Sequence, residues 1–270
     1  MRLQVWGARG AIPTPVAHNL GYGGNTACLE FRCPGLPPII FDAGSGIRDL
    51  GTALMQEFPA GGECHVCFTH FHWDHIQGLP YFAPLYDPDW RVHFHSVHEP
   101  AVLEGYLACQ MQAPYFPFAL PMAQGAQVYS RVPETGIEIV GLRLQRFPLQ
   151  HPDSAHGYHL EVEGRSMVLA FDHEHGIEDI DRGIREHAAG ADVLVYDAQY
   201  TPQEYDAHRG WGHSTWEQAV RVANEAGVRQ LVLFHHDPTH TDDVISGIVD
   251  QARRQFLGTV AAKEGSSIEW

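Results

Sequence analysis

The sequence predicts a mixed α/β protein whose helices pack outside mixed β-sheets. Two observations carry that expectation. Short apolar segments of strand character come in runs, while helical periodicity is interspersed and concentrated late in the chain. No strict strand–helix alternation of the doubly wound kind is visible. No internal repeat, low-complexity tract or linker divides the 270 residues, so residues 1–270 are expected to form one domain.

The strand segments come first in order. They are "RLQVWG" (2–7), "ACLEFR" (27–32), "PIIFDAG" (38–44), "HVCFTH" (65–70) and "RVHFHS" (91–96). Later come "IEIVGLRLQRF" (137–147), "GYHLEVE" (157–163), "SMVLAFD" (166–172), "DVLVYDA" (192–198) and "QLVLFHH" (230–236). Val, Ile, Phe and Tyr dominate them, and Gly, Pro or Asp often closes them. Helices are expected over 46–58, where Ile47, Leu50, Leu54 and Phe58 share a face, and over 242–256. A third is expected over 214–227, with Ser214 and Glu217 as a capping box and Gly227 as its stop. Segment 80–121, rich in Pro and aromatics, reads equally well as an insertion over a site or as irregular core.

Lys plus Arg number 17 against 33 Asp plus Glu, a formal charge of −16. That surplus disfavours nucleic acid as a partner, because such binding relies on basic side chains neutralising phosphates. A small anionic substrate stays open, since metal ions or a few arginines reverse the sign locally. No stretch approaches the roughly 20 apolar residues of a membrane span, and Gly and Pro enter the N-terminus too early for a signal-peptide core. Five cysteines without framework spacing point to a reduced, cytoplasmic protein. Cys64 and Cys67 form a C-x-x-C, but three positions apart on a strand their thiols diverge, so they are expected to be separate core residues.

Two apparent motifs fail. "GSGIRD" (44–49) has Asp49 where a dinucleotide loop needs its third glycine, and "AGSGI" (43–47) has Ala43 where a serine elbow needs its first.

The chemistry concentrates in "FTHFHWDHIQGLP" (68–80), an apolar strand followed by His70, His72, Asp74 and His75. Imidazole and carboxylate together suit zinc, iron or manganese. His70 and His72 can aim at one ion while the backbone stays extended. Asp74 and His75 can reach a second once the chain turns into a helix, which Gly78 and Pro80 keep short. A Cys-poor donor set of this kind argues against a closed structural zinc site, the non-enzymatic alternative.

H-x-H-x-D-H after an apolar strand resembles the signature of the metallo-β-lactamase superfamily, and the likeness extends over nearly the whole chain. The resemblance implies a four-layer αββα sandwich of two mixed β-sheets with helices outside. It implies two divalent metal ions, zinc first with manganese or iron as alternatives. It adds His151 from "RFPLQHPDSAHGYHL", Asp172 from "MVLAFDHEH" and His235 from "LVLFHHDP" to the metal ligands His70, His72, Asp74 and His75. Asp172 is taken as the bridging carboxylate, with Asp197 its competitor and otherwise a support for a ligand histidine. His156 and His159 compete with His151, and His236 with His235. His173, Glu174 and His175 lie beside Asp172 in the chain and are candidates for the pocket wall.

"GWGHSTWEQAV" (210–220) resembles the G-H-S-T segment of the ribonuclease Z and phosphodiesterase branch. The implied reaction is a two-metal hydrolysis. Asp74 is expected to orient or deprotonate the attacking water. His213, at a helix N-terminus, is expected to stabilise developing charge or protonate the leaving oxygen. The favoured substrate is a small phosphodiester, with cyclic nucleotides in view, because no long basic Gly-rich insertion is present. A tRNA 3′-processing-type endonuclease and a thioester or lactone hydrolase on the same metals are the alternatives. Tyr81, Phe82, Tyr115 and Phe116 are candidates for stacking on a base, and Arg9 and Asn25 for touching phosphate. Relatives in this family are often dimers, so a homodimer is also in view.

Overall fold

The computed structural model describes residues 1–270. Six strands build most of the first sheet: β1 (Arg2–Gly7), β2 (Cys28–Arg32), β3 (Ile39–Phe41), β4 (Gly62–Cys67), β5 (Trp90–Ser96) and β6 (Ala126–Arg131). The second sheet holds β7 (Ile137–Ile139), β8 (Leu142–Leu149), β9 (Ala155–Val162), β10 (Arg165–Ala170), β11 (Val193–Asp197), β12 (Gln230–Phe234) and β13 (Thr259–Ala261). The last strand, β14 (Ser267–Glu269), returns to the first sheet beside β1, giving the orders β14-β1-β2-β3-β4-β5-β6 and β13-β12-β11-β10-β9-β8-β7. Each sheet is antiparallel on one side and parallel on the other, the change falling at β3 and at β10.

Side-chain alternation shows how the layers stack. Leu29 and Phe31 of β2, Val193 and Val195 of β11, and Val232 and Phe234 of β12 enter one core between the sheets. Their neighbours turn outward: Cys28 and Ile40 beneath the helices of the first sheet, Leu194, Tyr196, Leu231 and Leu233 beneath those of the second. Helices α1 (Ile47–Glu57) and α3 (Pro100–Gln110) cover the first sheet. Helices α4 (Glu178–Ala188), α6 (Trp216–Ala226) and α7 (Asp242–Gln255) cover the second. Two four-residue helices, α2 (Trp73–Ile76) and α5 (Pro202–Tyr205), lie in loops. This is the four-layer αββα sandwich. Cys64 packs in the outer core and Cys67 in the inner one, diverging as strand parity requires, and all five cysteines are free thiols.

Several expectations need correction. The single strand read over 137–147 is a hairpin, because Val140 and Gly141 both take positive φ (48° and 83°) and make a two-residue turn of the I′ kind. Thr215, not Ser214, caps α6: its side chain accepts the Gln218 N–H, while the Ser214 hydroxyl donates to the His173 carbonyl. Gly227 does end that helix at φ 64°. The edge strands β6, β13 and β14 and helix α3 carry too weak an apolar period to be read beforehand, whereas α4, also unread, does set Ile180, Ile184 and Ala188 on one face. Segment 80–121 divides between core and surface: Phe82, Leu85, Leu103 and Leu107 are fully buried, while Tyr81, Tyr106, Tyr115 and Phe118 project into solvent.

No helix is long and apolar enough to cross a membrane.

Candidate metal centre

The parallel strands of both sheets point their C-terminal ends at one cleft of about 480 Å³, lined by His72, Asp74, His151, Asp172, His213 and His235 among others. Ligands commonly gather at such strand ends, where backbone leaves the ladder and side chains are freed. His70 follows β4, and His72 keeps an extended backbone (ψ 155°). One turn of α2 then lifts Asp74 and His75 onto the same side. Asp172 and His235 leave β10 and β12 in left-handed conformations, φ 59° and 61°. Asp and His tolerate that region better than β-branched residues, and each such bend costs on the order of 1–3 kcal/mol.

The predicted ligands converge. His75 Nε2 lies 3.3 Å from an Asp74 oxygen and 3.2 Å from an Asp172 oxygen. His235 Nε2 lies 3.3 Å from both Asp74 and Asp172. His70 and His151 reach Asp172 at 4.0 and 3.7 Å, and His151 Nε2 is 3.1 Å from His72 Nδ1. The groups His70–His72–His151, His70–His75–Asp172 and Asp74–His75–His235 each bring their ligand atoms within 4.8 Å of one another. His70 Nε2, His75 Nε2 and Asp172 Oδ2 are buried without a hydrogen-bond partner. Buried polar atoms are seldom left unpaired, so convergent orphan atoms of metal-ligating type fit divalent ions.

Asp172 and Asp197 occupy different places. Asp172 faces the histidines, whereas Asp197 is committed to His213 Nδ1 at 2.8 Å and to the N–H groups of Asp172, Gln199 and Ser214. Asp197 therefore supports His213 and not one of the predicted ligand histidines. His213 also joins a group with His151 and Asp172 whose ligand atoms lie within 4.8 Å, so it stands at the edge of the cluster.

The far side of each ring is held. His75 Nδ1 meets Asp42 at 2.8 Å, His235 Nδ1 meets Gln199 Oε1 at 2.8 Å, and His151 Nδ1 donates to the Gly212 carbonyl at 2.9 Å. Such partners fix the tautomer that directs Nε2 inward. Sequence reading missed Asp42, although "PIIFDAG" ends a strand on aspartate as "MVLAFD" does. Gln199 and Glu174 were missed as supports as well. Glu174 was expected in the pocket wall but instead accepts the N–H groups of Gly210 and Gly212, anchoring the loop that carries His213.

Burial and charge oppose each other here. Burial holds His70 and His151 well toward the neutral, ligand-competent form. Burial also acts against charged His75 and His235, yet the nearby carboxylates, Asp172 foremost, outweigh it and raise both. Burial would raise Asp172, but His235 and His75 pull it well below the ordinary carboxylate range. Without metal, the cluster thus stores anionic charge against imidazolium.

Other candidates fall away. The Arg9 guanidinium is fully buried and donates to the carbonyls of Gly23, Asp237 and His240, so it cannot touch phosphate. Asn25 is tied to Ser45 and Glu264. His156 and His159 stand outside the cluster, and His173 turns away to Asp181. His236 Nε2 donates to the Ala262 carbonyl, away from the cleft. The strand expected over 230–236 stops at Phe234, and His235 already has positive φ, so strand alternation does not set which of His235 and His236 faces the cleft. Phe82 is buried core and cannot stack on a ligand. The aromatic rim is instead Trp73 and Trp211, both largely exposed beside the cleft.

A family model described as a beta-lactamase superfamily domain matches residues 38–236. Ribonuclease Z from Salinispora arenicola (strain CNS-205) is 29% identical over 272 aligned residues, covering 84% of this chain and 84% of that protein. The metallo-beta-lactamase fold protein YhfI from Bacillus subtilis aligns with a TM-score of 0.74 at 18% identity, over 100% of this chain and 98% of that one. A diphosphatase of the PhnP family aligns with a TM-score of 0.71 at 19% identity, over 100% and 97%. The expectation that nucleic acid is disfavoured as a partner is not borne out, since a relative matched over most of its length is a ribonuclease. The physical reason is that net charge sums the whole surface, whereas a ligand meets only the local field of the cleft.

Proposed function

The chain belongs to the metallo-β-lactamase superfamily, in its ribonuclease Z-like branch, and is a metal-dependent hydrolase; we propose that it cleaves a small phosphodiester, a cyclic nucleotide being the leading class. The observation that carries this reading is the buried Asp197–His213 pair at the rim of the His/Asp cluster. A carbonyl hydrolase on the same ligands has no need of a second imidazole held ready there. Exposed Trp73 and Trp211 beside the cleft suit a flat base.

In this reading His70, His72 and His151 would hold one ion and Asp74, His75 and His235 the other, with Asp172 within reach of both groups. When bound, the two ions supply Lewis acidity, ionising the attacking water and neutralising the phosphoryl oxygens. Asp74 keeps its carboxylate oriented through the Ala11 N–H, which donates to Oδ2 at 2.8 Å, and directs the attacking water. Asp197 accepts from His213 Nδ1, so that the ring, when doubly protonated, has its Nε2 proton to give to the leaving oxygen and the carboxylate to balance its charge. The flat stack of His213 on His235, 4.8 Å between centroids and 17° apart, fixes the ring plane.

The test is a substrate panel with metal-replete protein. Bis(p-nitrophenyl) phosphate should be turned over and a thioester and a lactone should not; turnover of the carbonyl substrates alone would overturn the reading. Within phosphodiesters, 2′,3′- and 3′,5′-cyclic nucleotides are compared with a precursor tRNA. The ribonuclease Z relative favours a second reading, RNA cleavage, and that reading replaces the first if only the tRNA is cut.

A further inference from the structure

We propose that Glu63, His65 and His93 form a separate site for one zinc-class divalent ion on the inner face of the first sheet, away from the catalytic cluster. His65 and His93 are register partners on the parallel strands β4 and β5, so their imidazoles stack, 4.5 Å between centroids and 16° apart. Glu63 lies two residues before His65 and therefore on the same face. Both Nε2 atoms approach one carboxylate oxygen, Glu63 Oε1, His93 at 3.1 Å and His65 at 3.5 Å.

Those distances would suggest an ordinary hydrogen-bonded trio, but the directions are wrong. Neither Nε2 has a hydrogen-bond partner, although His65 is only 6% exposed. Ligand atoms about 2.0–2.1 Å from a tetrahedral zinc stand roughly 3.3 Å from one another, the spacing seen here. Two unpaired nitrogens at that spacing from one carboxylate oxygen, with all three ligand atoms within 4.8 Å of one another, are what a shared central ion requires. The outer partner is also present. His65 Nδ1 lies 2.9 Å from His95 Nε2, and donation to His95 leaves the His65 Nε2 lone pair facing Glu63. Burial holds His65 down to about 4 and lowers His93 as well, so both rings are neutral and ligand-competent near pH 7. Glu63 is half-exposed, which gives the ion an entry path and a solvent position for its fourth ligand.

The site differs from the catalytic centre in place and sequence. Its residues lie within β4 and β5, whereas the cluster begins beyond the C-terminal end of β4 at His70. An ion there would tie β4 to β5 along the strand that leads into the H-x-H-x-D-H segment.

The test uses the full chain equilibrated with zinc chloride, passed through gel filtration and analysed for metal by mass spectrometry. Wild type should retain one more ion per molecule than Glu63→Gln and than His93→Gln, while both variants keep wild-type hydrolytic activity. Zinc should also raise the wild-type Tm further than that of Glu63→Gln, an isosteric change at a half-exposed side chain that leaves folding intact. Equal zinc content in all three proteins would overturn the proposal. So would loss in His93→Gln without loss in Glu63→Gln, because that pattern would reflect disturbed packing and not a three-ligand site.

Discussion

Asp197 Oδ2 lies 2.8 Å from His213 Nδ1 and also accepts the backbone N–H of Asp172 at 3.0 Å. One buried carboxylate therefore couples the histidine at the cleft rim to the backbone of the residue that faces five histidines. Its other oxygen accepts from Gln199 and Ser214, and Gln199 in turn holds His235. The two halves of the site are held in register by hydrogen bonds to a single side chain.

The first prediction follows from that pairing. His213→Ala should lower phosphodiesterase kcat about 10²-fold or more while metal content stays at the wild-type level. Asp197→Asn should lower kcat through the same histidine, so the double variant should be little worse than His213→Ala. Additive losses, or metal loss in His213→Ala, would move His213 from proton donor to ligand.

Asp42 touches no reacting group, yet it is fully buried and accepts from the Thr69 N–H and hydroxyl as well as meeting His75. Asp42→Asn should weaken metal binding roughly 10–100-fold, read by chelator competition, with activity restored at saturating metal. Unchanged affinity would show that His75 is oriented by packing alone.

Two glycines in one loop give a matched pair. Gly210 and Gly212 have φ of 86° and 88°, but a Cβ on Gly210 meets nothing within 4 Å, whereas one on Gly212 would collide with His151 Nδ1 and Pro152. Gly210→Ala should cost about 1 kcal/mol of stability from backbone strain and little activity. Gly212→Ala should cost metal affinity and turnover besides, since His151 has to move. Denaturant unfolding and metal analysis of the pair separate strain from displacement.

His156 predicts an acid limb of stability. Burial, helped by Arg146 and His98, lowers it to about 4 in the folded protein, against about 6.5 in an unfolded chain. The unfolded state therefore binds this proton first. The contribution is fully present above pH ~6.5 and is lost as pH falls from there toward 4. His156→Gln should flatten that limb by on the order of 1 kcal/mol after solvent screening, measured as urea midpoints at pH 7 and pH 5. A limb of equal slope in the variant would assign it to other histidines.

Local order was readable because it is written in nearest neighbours. Apolar runs closed by His or Asp revealed where strands end at the site, and the spacing of His70, His72, Asp74 and His75 revealed their shared chemistry. Supports such as Asp42 and Gln199 were not readable, because each acts on a ring at least 33 residues away, His75 and His235 respectively. The aromatic rim was sought in segment 80–121 for its composition, but folding buried Phe82 and left Trp73 and Trp211 beside the cleft.

By itself, then, the sequence determined the residue types, their order and the strand ends on which they sit. The tertiary structure alone decided which of two neighbours faces the cleft. At His235 and Asp172 the backbone leaves the strand with positive φ, so side-chain direction no longer follows the alternation that a sequence pattern can count. It also decided between Asp172 and Asp197, since a carboxylate's place depends on which histidines and N–H groups surround it after the two sheets close.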